Sequence, residues 1–231
     1  LLAKLKDFGL DSLDKPAAFY GEGLALGNGE VSLLELTAAY AALARGGIWL
    51  PARLTPGEPA PARRVIGRTE AYIVTSMLSD NSARAPAFGA DSAFSLPFEL
   101  AAKTGTTKDY RDNWAVGYTP EWTIGVWVGN FSGAPMRRVS GITGAGPVLR
   151  DVALALEKLY GSTPFRRPPG IKTVRVCPLS GLPLSPFCPA AMDEVFSAAN
   201  LPQGQCAEHA PAAAAPEISR RSAVVEFPKE G

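Results

Sequence analysis

The chain has 231 residues, of which 46% are hydrophobic, and a formal net charge of +1. This is enough apolar material for one sizeable domain with an appendage, and it excludes global disorder. The near-neutral charge gives no electrostatic reason to expect nucleic acid as a partner, and no apolar run approaches the ~20 residues that cross a bilayer.

Leu1 to Leu10 contains three charges and no signal-peptide pattern, and no methionine opens the chain. It reads as a piece of a longer protein, with any anchoring segment outside it. The first clear element is a helix over Ser32–Arg45. Leu33, Leu36, Tyr40 and Leu43 recur at helical spacing, Ser32 and Glu35 fit a capping box, and Gly46 stands where a C-terminal cap belongs. A second helix is predicted over Glu70–Ser79 with Thr69 as its cap. A third is predicted over Pro147–Tyr160, with proline in its first turn and Gly161 at its end.

Between the second and third helices the pattern changes. Phe98–Thr106, Asp112–Tyr118 and Trp122–Asn130 are rich in Val, Trp, Ile and Thr and read as strands. Lys108–Arg111 and Thr119–Glu121 are the turns between them. The result is an antiparallel meander followed by a helix able to cover one face, an α+β fold.

After Gly161 the composition shifts. Seven prolines between Pro164 and Pro189 crowd a segment with little periodicity, and His209–Pro216 is an Ala/Pro linker. The expected organisation is residues 1–161 as the main domain, 162–216 as a Pro/Cys-rich connector, and 217–231 as the start of a truncated β module whose first strand would be Ala223–Phe227. The three cysteines, Cys177, Cys188 and Cys206, all lie in the connector, and His209 follows the last by three positions. With the histidine they could form a Cys₃His zinc site. Their spacing lacks the short C-x-x-C clips of common zinc modules. The other reading is one disulfide, Cys188–Cys206, with a spare thiol, and His209 in surface linker; the residues alone leave the two open.

The segment that carries chemistry is Ala102-Lys103-Thr104-Gly105-Thr106-Thr107. Lys103 places a cation beside a groove, and the Thr104 hydroxyl can hold a carboxylate. Gly105 lets a ligand approach the backbone, and Thr106 can offer N–H and C=O to a peptide laid along the strand edge. A bare Lys-Thr-Gly triplet also occurs by chance on exposed strands. Here it ends a predicted strand whose partner returns at hairpin distance, and the triplet belongs with S-x-x-K and S-D-N in serine acyl enzymes.

Two other matches are set aside. Ser12-Leu13-Asp14-Lys15 fits S-x-x-K, but Pro16 disfavours helix at Lys15. Ser79-Asp80-Asn81 fits S-D-N, but lies where an amphipathic helix ends. Gly141–Gly146 before a helix resembles a phosphate loop, yet no lysine follows in position and no βαβ unit surrounds it. Gly21–Gly27 fails as a dinucleotide motif for the same reason.

The wider sequence resembles the class A penicillin-binding proteins, nearest to the penicillin-binding protein 1C type. The resemblance rests on Lys103–Thr107, Tyr110–Pro120, Gly125–Asn130, Leu78–Asn81, Ala83–Gly89, Ser140–Pro147, and the upstream Leu24–Gly27 and Glu30–Leu36. It covers roughly residues 1–160, and the Cys/Pro tail resembles the connector of the same type. It implies the late part of a D,D-transpeptidase domain of a bifunctional glycosyltransferase/transpeptidase, anchored at the periplasmic face of the inner membrane. In such a domain Lys103 is catalytic, and Thr104, Gly105, Thr106 and Thr107 bind substrate. The partners are peptidoglycan stem peptides ending in D-Ala-D-Ala, and β-lactams. No cofactor is implied, and the exported setting that the resemblance implies favours the Cys188–Cys206 disulfide over a metal. The nucleophilic serine and its lysine are expected upstream of Leu1. The rivals are a β-lactamase or D,D-carboxypeptidase, and a silent scaffold module that kept the fold and lost the chemistry.

Overall fold

The computed structural model describes residues 1–58, 61–89, 91–137 and 139–210. The readings made for residues 211–231, including the strand over Ala223–Phe227, lie outside the described residues. The described chain divides into two compact units, Leu1–Lys172 with Val195–Asn200, and Thr173–Glu194 with the residues from Leu201 onward.

In the first unit, short helices α1 (Leu2–Asp7) and α2 (Ala17–Tyr20) lead into α3 (Leu33–Ala44). The Ser32 hydroxyl accepts the Glu35 N–H, and the Glu35 carboxylate accepts the Ser32 N–H, so the capping box forms as expected. At the other end Gly46 has φ +63°. Its N–H donates to Leu43 O, and the Gly47 N–H donates to Ala42 O, a Schellman closure. Leu10, Leu13, Tyr20, Leu24 and Ala39 form a local core that seats the N-terminal segment on α3.

Strands β1 (Ile48–Trp49) and β2 (Arg63–Arg64) pair briefly before α4 (Arg68–Ser79). Thr69 does not cap α4, because the helix begins earlier, with Gly67 as its N-cap. Gly67 has no Cβ, and one placed there would fall within 2.0 Å of the Glu70 carboxylate, which folds back over this end. A helix not foreseen, α5 (Asn81–Phe88), follows directly, capped by Asp80, whose carboxylate accepts the Ser82 and Ala83 N–H groups. Pro86 inside it removes one ladder donor, which blurs the helical signal in sequence.

β3 (Ala101–Thr106), β4 (Asp112–Tyr118) and β5 (Thr123–Gly129) form one antiparallel sheet in the order β3-β4-β5. The register places Lys103 opposite Val116, Gly105 opposite Trp114, and Trp114 opposite Trp127. α6 (Ala145–Tyr160) covers one face through Ala145, Leu149 and Ala153, which pack with Phe94, Leu100, Ala102, Ala115, Ile124 and Val126. It starts two positions before Pro147, which still lies in the first turn, where the missing N–H costs nothing. α3 and α4 pack on the sheet as well. At Gly125 a Cβ would lie 1.9 Å from the Thr37 hydroxyl, so glycine there sets how closely α3 approaches. Tyr118, fully buried, shares a 2.9 Å hydrogen bond with the Thr75 hydroxyl. Burial pushes the Tyr118 phenol well above the ordinary tyrosine range.

The first compact unit extends past residue 162, to Lys172. The reason is local anchoring. Gly161 O accepts the Trp122 indole N–H, Thr163 donates to Glu121, Phe165 N–H donates to Glu99, and the Phe165 ring packs edge-on to Tyr118 at 5.7 Å.

The second unit has little apolar interior. β6 (Ile171–Val176), which crosses the boundary, pairs with β7 (Met192–Ser197). Beyond β6 the chain proceeds through tight turns at Gly181 and Gly204, both at positive φ. Among the described residues no helix is long and apolar enough to cross a membrane.

Candidate functional site

β3 is an edge strand, paired on one side only among the described residues. Its turn fixes which backbone groups are free. The Thr107 N–H donates to Asp112 O at 3.0 Å, so residue 107 points its polar groups toward β4. Alternation along the strand then turns the N–H and C=O of Thr104 and Thr106 toward the open edge. These are the groups an added strand would engage.

The side chains follow the same alternation. Thr104 and Thr106 share the face of Ala102, which α6 covers, while Lys103 and Gly105 share the other face with Trp114. Although Lys103 leaves the strand on the opposite face, its exposed ammonium curls back to the edge and donates to Thr104 O at 2.5 Å. Among the described residues it pairs with no carboxylate. The Thr104 hydroxyl has no hydrogen-bond partner among the described residues, while the Thr106 hydroxyl accepts the Gly141 N–H at 2.9 Å and keeps its own proton to donate. A cation and two hydroxyls therefore flank a backbone edge that can accept an extended chain.

Thr107 is differently employed. Its hydroxyl donates to Asp112 Oδ2 at 3.0 Å and accepts the Asp112 N–H at 2.8 Å. The other Asp112 oxygen accepts the Trp127 indole N–H at 3.0 Å. Thr107 thus fastens the β3–β4 turn, in which Asp109 and Tyr110 both take left-handed backbone conformations.

The Ser140–Gly146 loop makes a contact with β3 that no side-chain pattern in the sequence marks. Gly141 is buried against the strand. A Cβ there would lie 2.7 Å from Gly105 O, 2.9 Å from Trp114 O and 3.0 Å from Thr104 Cβ. The loop closes on itself through Gly144 N–H to Ser140 O at 2.7 Å and Gly146 N–H to Gly141 O at 2.8 Å. It holds the Lys-Thr-Gly segment in place by backbone contact.

Both set-aside motifs have other work. Ser12 donates its N–H and hydroxyl to Glu35, at 2.9 and 2.6 Å, while Lys15 pairs with Asp14. Burial acts to raise the Glu35 carboxyl, but the hydrogen bonds from Ser12 and Ser32 outweigh it and hold it at about 2. Ser79 donates to Glu99 at 3.2 Å, and Asp80 caps α5. No serine is hydrogen-bonded to a lysine ammonium among the described residues. A cavity of about 410 Å³ lies between α3 and the Pro120–Thr123 turn, but none of its lining belongs to β3.

The expected Cys188–Cys206 disulfide is absent, and all three cysteines are free thiols. The turns bring the three sulfurs and the His209 ring to a common centre instead of pairing two sulfurs. One ligand atom from each of Cys177, Cys188, Cys206 and His209 lies within 4.8 Å of every other.

Residues 5–152 match the family model "Penicillin binding protein transpeptidase domain". The chain belongs to this transpeptidase family. Residues 167–211 match the model "Penicillin-binding protein 1A, C-terminal domain". Penicillin-binding protein 1C of Escherichia coli is 35% identical over 150 residues, 65% of this chain and 19% of its own length. Penicillin-binding protein 1A of Pseudomonas aeruginosa is 37% identical over 150 residues, 64% of this chain and 18% of its own. The crystal structure of penicillin-binding protein 1A from Haemophilus influenzae superposes with a TM-score of 0.72 at 22% identity, over 89% of this chain and 37% of that one, and carries the α+β fold assignment. The chain spans about a fifth of the length of the two curated relatives.

Proposed function

We propose that the open edge of β3 is the substrate groove of a peptidoglycan D,D-transpeptidase, and that this chain is the late part of its catalytic domain. The observation that carries the reading is the Lys103 ammonium at the free edge, 2.5 Å from Thr104 O and unpaired with any carboxylate among the described residues. A cation held there suits a terminal carboxylate, and the free Thr104 hydroxyl can donate to the same group. A stem peptide ending in D-Ala-D-Ala would lie antiparallel to β3, hydrogen-bonded to the outward backbone of Thr104 and Thr106. The Thr106 N–H, aimed at the edge, would help stabilise the tetrahedral oxyanion.

In this reading a serine outside the described residues attacks the amide carbonyl between the two D-alanines. The terminal D-Ala leaves with a proton, and an amine of a second stem peptide then displaces the serine from the acyl-enzyme. β-Lactams acylate the same serine. An extracytoplasmic location, on the periplasmic face of the inner membrane, goes with such a substrate. The family membership and the two relatives named penicillin-binding proteins support the reading. Its test is labelling with a fluorescent penicillin. The full-length protein containing this chain is expected to form a covalent adduct, and the 231-residue chain alone none by intact mass. An adduct on Ser12 or Ser79 of the chain alone would overturn the placement of the nucleophile, and no adduct on the full-length protein would favour a silent scaffold.

A further inference from the structure

The second unit is held together by very little apolar packing. Among its described residues, the buried apolar side chains are Val176, Cys177 and Cys206. Segments this small ordinarily need a covalent or metal staple, because they cannot bury enough surface to offset chain entropy. The cysteines form no disulfide, yet three sulfurs and one imidazole converge.

The backbone is arranged to bring them together. Cys177 opens a tight turn in which its N–H donates to Leu182 O at 2.9 Å and its carbonyl accepts the Gly181 N–H at 2.8 Å. The Cys206 N–H donates to Pro183 O at 2.8 Å, which lays the later strand of chain beside that turn. Cys188 is set by its N–H to Ser185 O at 3.2 Å, and its sulfur accepts the Ser185 N–H at 3.3 Å. His209 Nδ1 lies 3.7 Å from Cys177 Sγ and 3.4 Å from Cys206 Sγ.

These separations fit a tetrahedral ion. With Zn–S near ~2.3 Å and Zn–N near ~2.1 Å, tetrahedral angles put a sulfur and a nitrogen ligand roughly 3.6 Å apart. A disulfide would instead draw two sulfurs to ~2.05 Å and leave a buried thiol and an imidazole without a task.

We infer that Cys177, Cys188, Cys206 and His209 bind one zinc ion as a closed Cys₃His site that folds the second unit. Zn²⁺ displaces the three thiol protons and is held by three thiolates and His209 Nδ1. Four protein ligands leave no position for substrate, so the site is structural. Nothing in it depends on the transpeptidase reading, since no member of the β3 edge takes part.

The test uses the untagged 231-residue chain, purified without chelator. Elemental analysis is expected to find one zinc per chain, and thiol titration after unfolding in chelator is expected to find all three sulfhydryls. Replacing zinc by Co²⁺ should give thiolate-to-cobalt charge transfer and the visible bands of a tetrahedral ion. Cys206→Ser and His209→Ala should weaken cobalt binding by at least about tenfold. His209→Cys should retain one ion per chain with shifted visible bands, which a role in packing alone would not produce. A metal-free chain with one titratable thiol would overturn the site in favour of a disulfide. Stoichiometric iron or copper would overturn the choice of zinc, and three reactive thiols with no metal and no cobalt spectrum would remove the site altogether.

Discussion

The Gly141 N–H donates to the Thr106 hydroxyl at 2.9 Å, joining the loop before α6 to the strand that carries Lys103. The contact leaves no room for a side chain, since the nearest atoms to a Cβ at 141 are the carbonyl oxygens of Gly105 and Trp114. Backbone cannot step aside as a flexible side chain would. Gly141→Ala should therefore destabilise the chain by about 1–3 kcal/mol, the usual cost of overpacking. Gly57→Ala, where a Cβ meets nothing within 4 Å, is the control and should stay within about 0.5 kcal/mol. Urea denaturation of the two variants measures both. Equal stabilities would mean that the loop does not brace β3.

The α3 capping box gives a prediction with a sign. Glu35 sits at about 2 in the folded chain against an ordinary value of 4.5, because Ser12 and Ser32 hydrogen-bond its carboxylate more strongly than burial disfavours the charge. A depressed carboxyl stabilises the fold fully above its unfolded value and loses that contribution as pH falls through the folded one. Glu35→Gln keeps a capping-box residue but removes the charge. Its melting temperature should fall below the parent's at pH 7, and the gap should narrow as pH drops below 4.5 toward 2. A gap independent of pH would show that the charge is not what stabilises this helix end.

Tyr118 and Thr75 form a buried pair between β4 and α4. Tyr118→Phe keeps the ring and strands the Thr75 hydroxyl, at a cost of about 1–3 kcal/mol. The double variant Tyr118→Phe/Thr75→Val removes both polar groups and should recover part of that loss. A double variant no better than the single one would show that the hydrogen bond matters less than the packing around it.

Local structure is legible in the sequence where one side chain answers to its own backbone. Ser32 with Glu35 and Gly46 after α3 each specify their end of the helix without help from elsewhere. Thr69 misled because capping residues recur near helix starts, while the observed end depends on Gly67 leaving room for Glu70. α5 was missed because Pro86 interrupts its pattern. The Lys-Thr-Gly strand was legible as a strand, and its position at the sheet edge follows from the meander. The support of Gly141 was not legible, since it joins residues 35 apart by a backbone contact that no side-chain pattern encodes. The convergence of the cysteines was not legible for a related reason. Their wide spacing hides a convergence that the positive-φ turns at Gly181 and Gly204 help to build.

The acylation rate of Lys103→Ala in the full-length protein, measured as a second-order rate with a fluorescent penicillin, tests the central claim most directly. A charge-assisted hydrogen bond to an ion contributes ~1.5–3 kcal/mol, and each ~1.4 kcal/mol is tenfold in rate, so the variant should acylate roughly 10- to 100-fold more slowly. Thr104→Val should cost less and melt at the parent's temperature. Lys108→Ala, past the strand in the turn, should acylate nearly as the parent does. Lys103→Ala acylating at the parent's rate, or Lys108→Ala proving the damaging change, would contradict the assignment of the β3 edge as the carboxylate groove.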